Sequence, residues 1–162
     1  MNEKERSRIN QFRQLKKEIR GSSKHLIVGI DIAKNKHHAF FGTANGKTVL
    51  KGLIVENNAD GFKHLLTRMQ FLLDRDGFEH VVFGVEPTSV YPKPLAEHLI
   101  RKGHMVVYVT NEAIRKNRSL LDGRWDKNDA KDSANVADLI AQGKCNFYDL
   151  PDMAIRDIRS LL

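Results

Sequence analysis

The chain has 162 residues, a net charge of +7 and 41% hydrophobic residues, which suits one domain with a real core and at most a short appendage. A single cysteine, Cys145, excludes an intrachain disulfide, and no apolar stretch approaches the ~18 residues of a membrane span. The charge points to an acidic partner, nucleic acid first, without excluding a basic protein that binds no polyanion, and the charged start, lacking the apolar stretch of a signal peptide, fits a cytosolic setting.

Residues 1–24 carry Lys4, Arg6, Arg8, Arg13, Lys16, Lys17, Arg20 and Lys24. Ile9, Phe12, Leu15 and Ile19 recur at three- and four-residue spacing, which predicts a basic amphipathic helix or tail. It either lies along a phosphate backbone or docks by one narrow apolar stripe, and both readings stand.

The run His25-Leu-Ile-Val-Gly-Ile-Asp-Ile-Ala33 is apolar on consecutive positions, as in a strand covered on both faces. Asp31 falls within it, and a charge there needs compensation. Two more strands follow in a meander, around His37-His-Ala-Phe-Phe41 and Lys47–Val55. Between them, Gly42-Thr-Ala-Asn-Gly-Lys-Thr48 looks like a phosphate-binding loop but is one residue short and opens no helix. Asn45-Gly46 instead predicts a hairpin turn.

Phe62, Leu65, Leu66, Met69, Leu72 and Leu73 mark a helix over 59–74. The strand 80–86 repeats the first one and ends in Glu86. Pro92 and Pro94 suit the first turn of a helix that runs to Arg101, and Met105–Val109 is a further buried strand. The polar, basic stretch 111–131 predicts a short helix and a loop. Residues 129–142 predict a helix closed by Gly143. Another helix begins at Pro151 and is uncapped at Leu162, so we expect the natural protein to continue.

Three strands, helix, strand, helix, strand, helix predicts an α/β fold, a ribonuclease-H-like mixed five-stranded sheet of order 3-2-1-4-5 with helices on both faces. Such a topology brings Asp31, Glu86, Asp129 and Asp132 together. Asp129 and Asp132 share a helix face. A like-charge pair at ~4 Å costs about 4 kcal/mol at an effective dielectric near 20, so the cluster needs cations. Two Mg²⁺ balance four carboxylates with hard oxygen ligands and suit phosphodiester chemistry. Taken singly, each carboxylate also has a bland reading as a turn former, helix cap or first-turn residue. Asp60, Asp74, Asp76, Asp122, Asp126, Asp138 and Asp149 read as surface, cap or turn residues. The histidines are scattered, His37 more as a strand residue than a ligand, so no zinc site is expected. Tyr91 and Trp125 read as packing residues, with base stacking the alternative.

Gly29-Ile-Asp-Ile-Ala-Lys-Asn-Lys-His37, Gly84-Val-Glu-Pro-Thr-Ser-Val-Tyr91, Gly103–Val109 and Lys127-Asn-Asp-Ala-Lys-Asp-Ser-Ala134 together resemble the DEDD transposases of insertion sequences, which include a Piv-type DNA invertase, over roughly residues 26–145. The resemblance implies a RuvC-like domain over 25–147, with 148–162 leading into a further region that carries a serine nucleophile. It implies that Asp31, Glu86, Asp129 and Asp132 are the catalytic, metal-binding tetrad for two Mg²⁺ or Mn²⁺. It implies DNA transposition or recombination through a junction-like intermediate, a structured guide RNA as a second partner, further copies of the chain in the full-length protein, no membrane, and a nucleoid-associated cytoplasmic setting. Lys34, Lys36, Arg115, Lys116, Arg118, Arg124, Lys127 and Lys131 are the expected nucleic-acid contacts. Pro87, Ser89 and Asn128 depart from the usual family residues. The rivals are a non-catalytic nucleic-acid-binding module and an actin-like phosphotransferase, although Ile32-Ala-Lys-Asn-Lys-His37 offers no glycine-rich phosphate loop.

Overall fold

The computed structural model describes residues 2–87, 90–121 and 131–149. At its centre is β1 (His25–Asp31), in which six successive residues are buried. Consecutive apolar residues leave no face for water, so neighbours must cover both. β2 (Lys36–Thr43) runs antiparallel to β1, and β3 (Thr48–Glu56) antiparallel to β2. β4 (His80–Val85) is parallel to β1, and β5 (Met105–Tyr108) is parallel to β4. This is the expected mixed sheet. The structure adds β6 (Asn146–Phe147), antiparallel to β5, so the order is 3-2-1-4-5-6. A two-residue strand carries no readable periodicity. It forms because Gly143, at φ +74°, turns the chain back toward β5.

Residues of β1 alternate between two cores. Leu26, Val28 and Ile30 pack with Phe62 and Leu65 of α2 (Ala59–Asp76) and Leu95 and Leu99 of α3 (Lys93–Arg101). Ile27 packs on the opposite face with α1 (Glu3–Glu18), α4 (Asn111–Leu121) and α5 (Lys131–Ala141), through Ile19, Ile114 and Ile140 among others. Each fully buried aliphatic side chain contributes roughly 1.5–3 kcal/mol. In the β2–β3 turn, Thr43 N donates to Lys47 O at 2.9 Å and Gly46 has φ +87°. The Gly42–Thr48 stretch is therefore a hairpin and cradles no phosphate. No helix among the described residues is long and apolar enough to cross a membrane.

The basic helix α1 docks on the sheet through Leu15, with Ile19, just past its end, fully buried. Three of its cations are taken up by the chain itself. Arg8 donates to Tyr148 O (2.6 Å), Lys16 to Cys145 O (3.2 Å), and Arg20, beyond the helix end, to Gln142 O (3.1 Å). Backbone carbonyls, not phosphates, are the partners of these three.

His37 lies on the α2–α3 side of β2 and is fully buried. Its Nδ1 accepts from Ala33 N at 3.2 Å, and Asn57 faces its other nitrogen without completing a hydrogen bond. Burial lowers its pKa below the ordinary 6.5. The unfolded chain therefore takes up a proton that the fold resists, and stability declines as pH falls through about 6.5. His25 and His104, also lowered by burial, act in the same direction. Thermal melts at pH 7.5 and 5.5 should show this loss, with a shallower decline in His37→Leu.

Candidate active site

Two Gly-x-acid triplets set the geometry. Gly29 of β1 pairs in register with Gly84 of β4. Both face α5. A Cβ on Gly29 would lie 2.2 Å from Ser133 O and 2.6 Å from Ala137 N, and one on Gly84 would lie 2.1 Å from Ile140 Cδ1. The missing side chains let α5 press against the sheet. Two residues further along come Asp31, the last residue of β1, and Glu86, just past the end of β4, both on the side that alternation gives the glycines. Parallel neighbours thus deliver two carboxylates to one rim of the sheet, at the C-terminal ends of its central strands. Asp132 stands in the first turn of α5, above that rim, where the helix dipole favours a negative charge.

The three carboxylates sense one another. Asp31 has its pKa raised, first by burial and then by Asp132, while His38 and Arg118 pull it down. Glu86 is raised by burial, Asp31 and Asp132, and is lowered by Arg118. Of the expected tetrad the structure brings these three into one electrostatic cluster, and Asp129 lies outside the described residues. Among the described residues, the trio of His, Cys, Asp or Glu side chains whose ligand atoms all lie within 4.8 Å of one another is a different one, Glu18, His25 and His80.

Arg118 occupies a role that the sequence did not disclose. Its guanidinium donates to Asp132 Oδ1 at 3.1 Å. Both side chains are about half exposed, so the pair itself adds little stability. It is held in place by a buried polar seam between α4 and α5. Asn117 Nδ2 donates to Asn135 Oδ1 (2.7 Å) and Asp138 Oδ2 (3.0 Å), and Asn135 Nδ2 donates to Ile114 O (2.9 Å). Asp138, read from sequence as a surface, cap or turn residue, is a half-buried acceptor of this seam. His38, opposite Asp31 on β2, sets its Nδ1 3.1 Å from Ser133 Oγ and ties β2 to α5.

The other expected contacts scatter around this rim. Lys34 and Lys36 are exposed in and beside the loop leaving Asp31. Asn57 Nδ2 holds that loop through Lys34 O at 3.0 Å. Arg115 and Lys116 are exposed on α4, Lys116 pairing with Glu112 at 3.0 Å. Arg124, Lys127, Trp125 and the side chain of Lys131 lie outside the described residues. Tyr91 is partly exposed on the loop before α3, beyond the two undescribed residues that follow Pro87.

The sequence profile of the IS110-type DEDD transposases, described as transposase, matches residues 28–162. The chain belongs to this family. Among solved structures, a Thermus thermophilus RuvC in complex with a Holliday junction substrate is similar over 76% of this chain and 99% of the RuvC chain, at 12% identity and a TM-score of 0.51. Another T. thermophilus RuvC structure matches with the same coverage and TM-score at 13% identity. At that identity the likeness is one of fold: the IS110-type domain is RuvC-like. No curated protein matches the chain.

Proposed function

We propose that residues 25–147 form the catalytic domain of a DNA transposase that cleaves and transfers strands at a divalent-metal site, with Asp31, Glu86, Asp129 and Asp132 as ligands of two Mg²⁺ or Mn²⁺. The observation that carries this is that Asp31 at the end of β1, Glu86 just past the end of the parallel neighbour β4, and Asp132 of α5 act on one another electrostatically. The donor set fits the ions: carboxylates whose ionisation is opposed by burial and by each other are a site short of positive charge. Bound there, the ions would supply activation of an attacking oxygen and neutralisation of the leaving one.

The protein's own residues do the positioning. The Gly29–Gly84 pair sets the depth of α5. Arg118 offsets the Asp132 charge in the metal-free protein through Oδ1, which leaves Oδ2 for an ion. Lys34, Lys36 and Arg115, exposed close to the acidic rim or on α4, would hold phosphates, joined by Lys116, Arg124, Lys127 and Lys131. Family membership supports DNA as the substrate, and the junction bound by the RuvC relative supports a branched DNA in particular. We extend the proposal to a structured guide RNA on the basic surface, to assembly with further copies of the chain, and to action in the cytoplasm on nucleoid DNA.

The Arg118–Asp132 ion pair also suits a second reading, in which the carboxylates are structural and the domain only binds nucleic acid. A branched DNA substrate separates the two. Wild-type protein with Mg²⁺ or Mn²⁺ should nick it, and Glu86→Gln should lose at least about 100-fold in rate while still binding the DNA with the same salt dependence. Metal-independent binding with no nicking by the full protein would favour the binding module.

A further inference from the structure

At the opposite end of the central strands, roughly 20 Å along β1 from Asp31, a second cluster stands apart from the acidic site. His25 opens β1 and His80 opens β4, paired in register and on the same face. Their rings lie 4.7 Å apart between centroids. Glu18, the last residue of α1, reaches the same point, and the ligand atoms of the three all lie within 4.8 Å of one another. A cleft of about 340 Å³ opens beside them, bordered by Gln11, Gln14 and His104.

We propose that Glu18, His25 and His80 bind a borderline divalent metal of the Zn²⁺ type, with water in the remaining position, and that the metal fastens the end of α1 to the starts of β1 and β4. Two imidazoles and one carboxylate are a donor set that suits Zn²⁺, whereas Mg²⁺ takes all-oxygen sets. The buried ring is already oriented. Ser22 Oγ accepts from Lys24 N at 3.2 Å and lies 2.6 Å from His25 Nδ1. A metal on Nε2 selects the tautomer in which Nδ1–H donates to the Oγ lone pair that Lys24 N leaves free. Tetrahedral ligands at about 2.0–2.1 Å from zinc sit about 3.3 Å apart, inside the 4.8 Å that bounds the present cluster. Glu18 and His80 are exposed and can rotate inward on the fixed His25. The Gln14 side-chain amide donates to Glu18 Oε1 and already points the carboxylate.

The test is calorimetric titration of the full chain with Zn²⁺ alone, beside Mg²⁺ alone. His25→Ala removes a buried side chain and is a poor probe, so the exposed His80→Ala and Glu18→Gln are used, with Asp31→Asn as the control. A saturable zinc-binding step that is weakened by about tenfold or more in His80→Ala and Glu18→Gln and persists in Asp31→Asn is the expected result. Zinc should also slow tryptic cleavage after Arg20 and Lys24 in wild type and not in His80→Ala. Zinc binding that survives both substitutions, that is lost with Asp31, or that never saturates would overturn the site.

Discussion

Asp31→Asn is expected to melt higher than the wild type in the absence of metal and to lose the stabilisation that Mg²⁺ or Mn²⁺ gives the wild type. The two effects have one origin. The folded state holds the Asp31 carboxyl above the ordinary carboxylate range, because it is partly buried and faces Asp132. A group whose folded pKa is raised lowers stability as pH rises through that shifted range, so the metal-free wild type carries the cost above it. Like charges a few ångströms apart repel by a few kcal/mol at an effective dielectric near 20. Arg118, His38 and solvent offset much of it. Asparagine keeps the shape and removes the charge, for a net gain of about 1 kcal/mol, or about 2–4 °C. With metal at a hundredfold excess over its dissociation constant the wild type gains about 2.7 kcal/mol and overtakes the variant. Thermal melts of both proteins with and without Mg²⁺ read this crossing directly. A metal-free Asp31→Asn protein that melts lower would make Asp31 a structural turn residue.

Much of this site was legible before any coordinates. Consecutive apolar residues in His25–Ile30 identify a strand buried on two faces, and the carboxylate at its end is conspicuous because burial opposes charge. The Gly-x-acid pattern occurs twice, at Gly29–Asp31 and Gly84–Glu86, and alternation along a strand then places both acids on the face that the glycines leave open. What stayed hidden depends on how helices sit against each other. Arg118 looked like one more cation for phosphate, since nothing in the linear order puts α4 beside the first turn of α5. The buried Asn117–Asn135–Asp138 seam that does so consists of residue types usually found at the surface. The basic stripe of α1 was ambiguous for the same reason, because Arg8, Lys16 and Arg20 find carbonyls more than a hundred residues away. The His25–His80 pair is invisible until β1 and β4 are placed in register.

The glycine pair gives the sharpest structural prediction, because the two substitutions look alike in sequence and differ in what they strike. At Gly29 an added methyl meets backbone, Ser133 O at 2.2 Å and Ala137 N at 2.6 Å. Backbone in mid-helix cannot step aside alone, so α5 as a unit must lift from the sheet. At Gly84 the methyl meets the Cδ1 end of Ile140 at 2.1 Å, and a rotamer change relieves it. Gly29→Ala should therefore cost about 3 kcal/mol, the upper part of the usual overpacking range, and lower the melting temperature by about 6–12 °C. Gly84→Ala should cost about 1 kcal/mol. Function separates them further. Lifting α5 carries Asp132 away from Asp31 and Glu86 and stretches the Ser133–His38 contact, so the surviving folded Gly29→Ala protein should bind Mg²⁺ about tenfold more weakly, a loss of about 1.4 kcal/mol, whereas Gly84→Ala should bind it nearly as wild type. Melts and metal titrations of the two variants side by side check both halves. Equal behaviour of the pair would mean that the depth of α5 is set elsewhere, and that the seam with α4, not the sheet, positions Asp132.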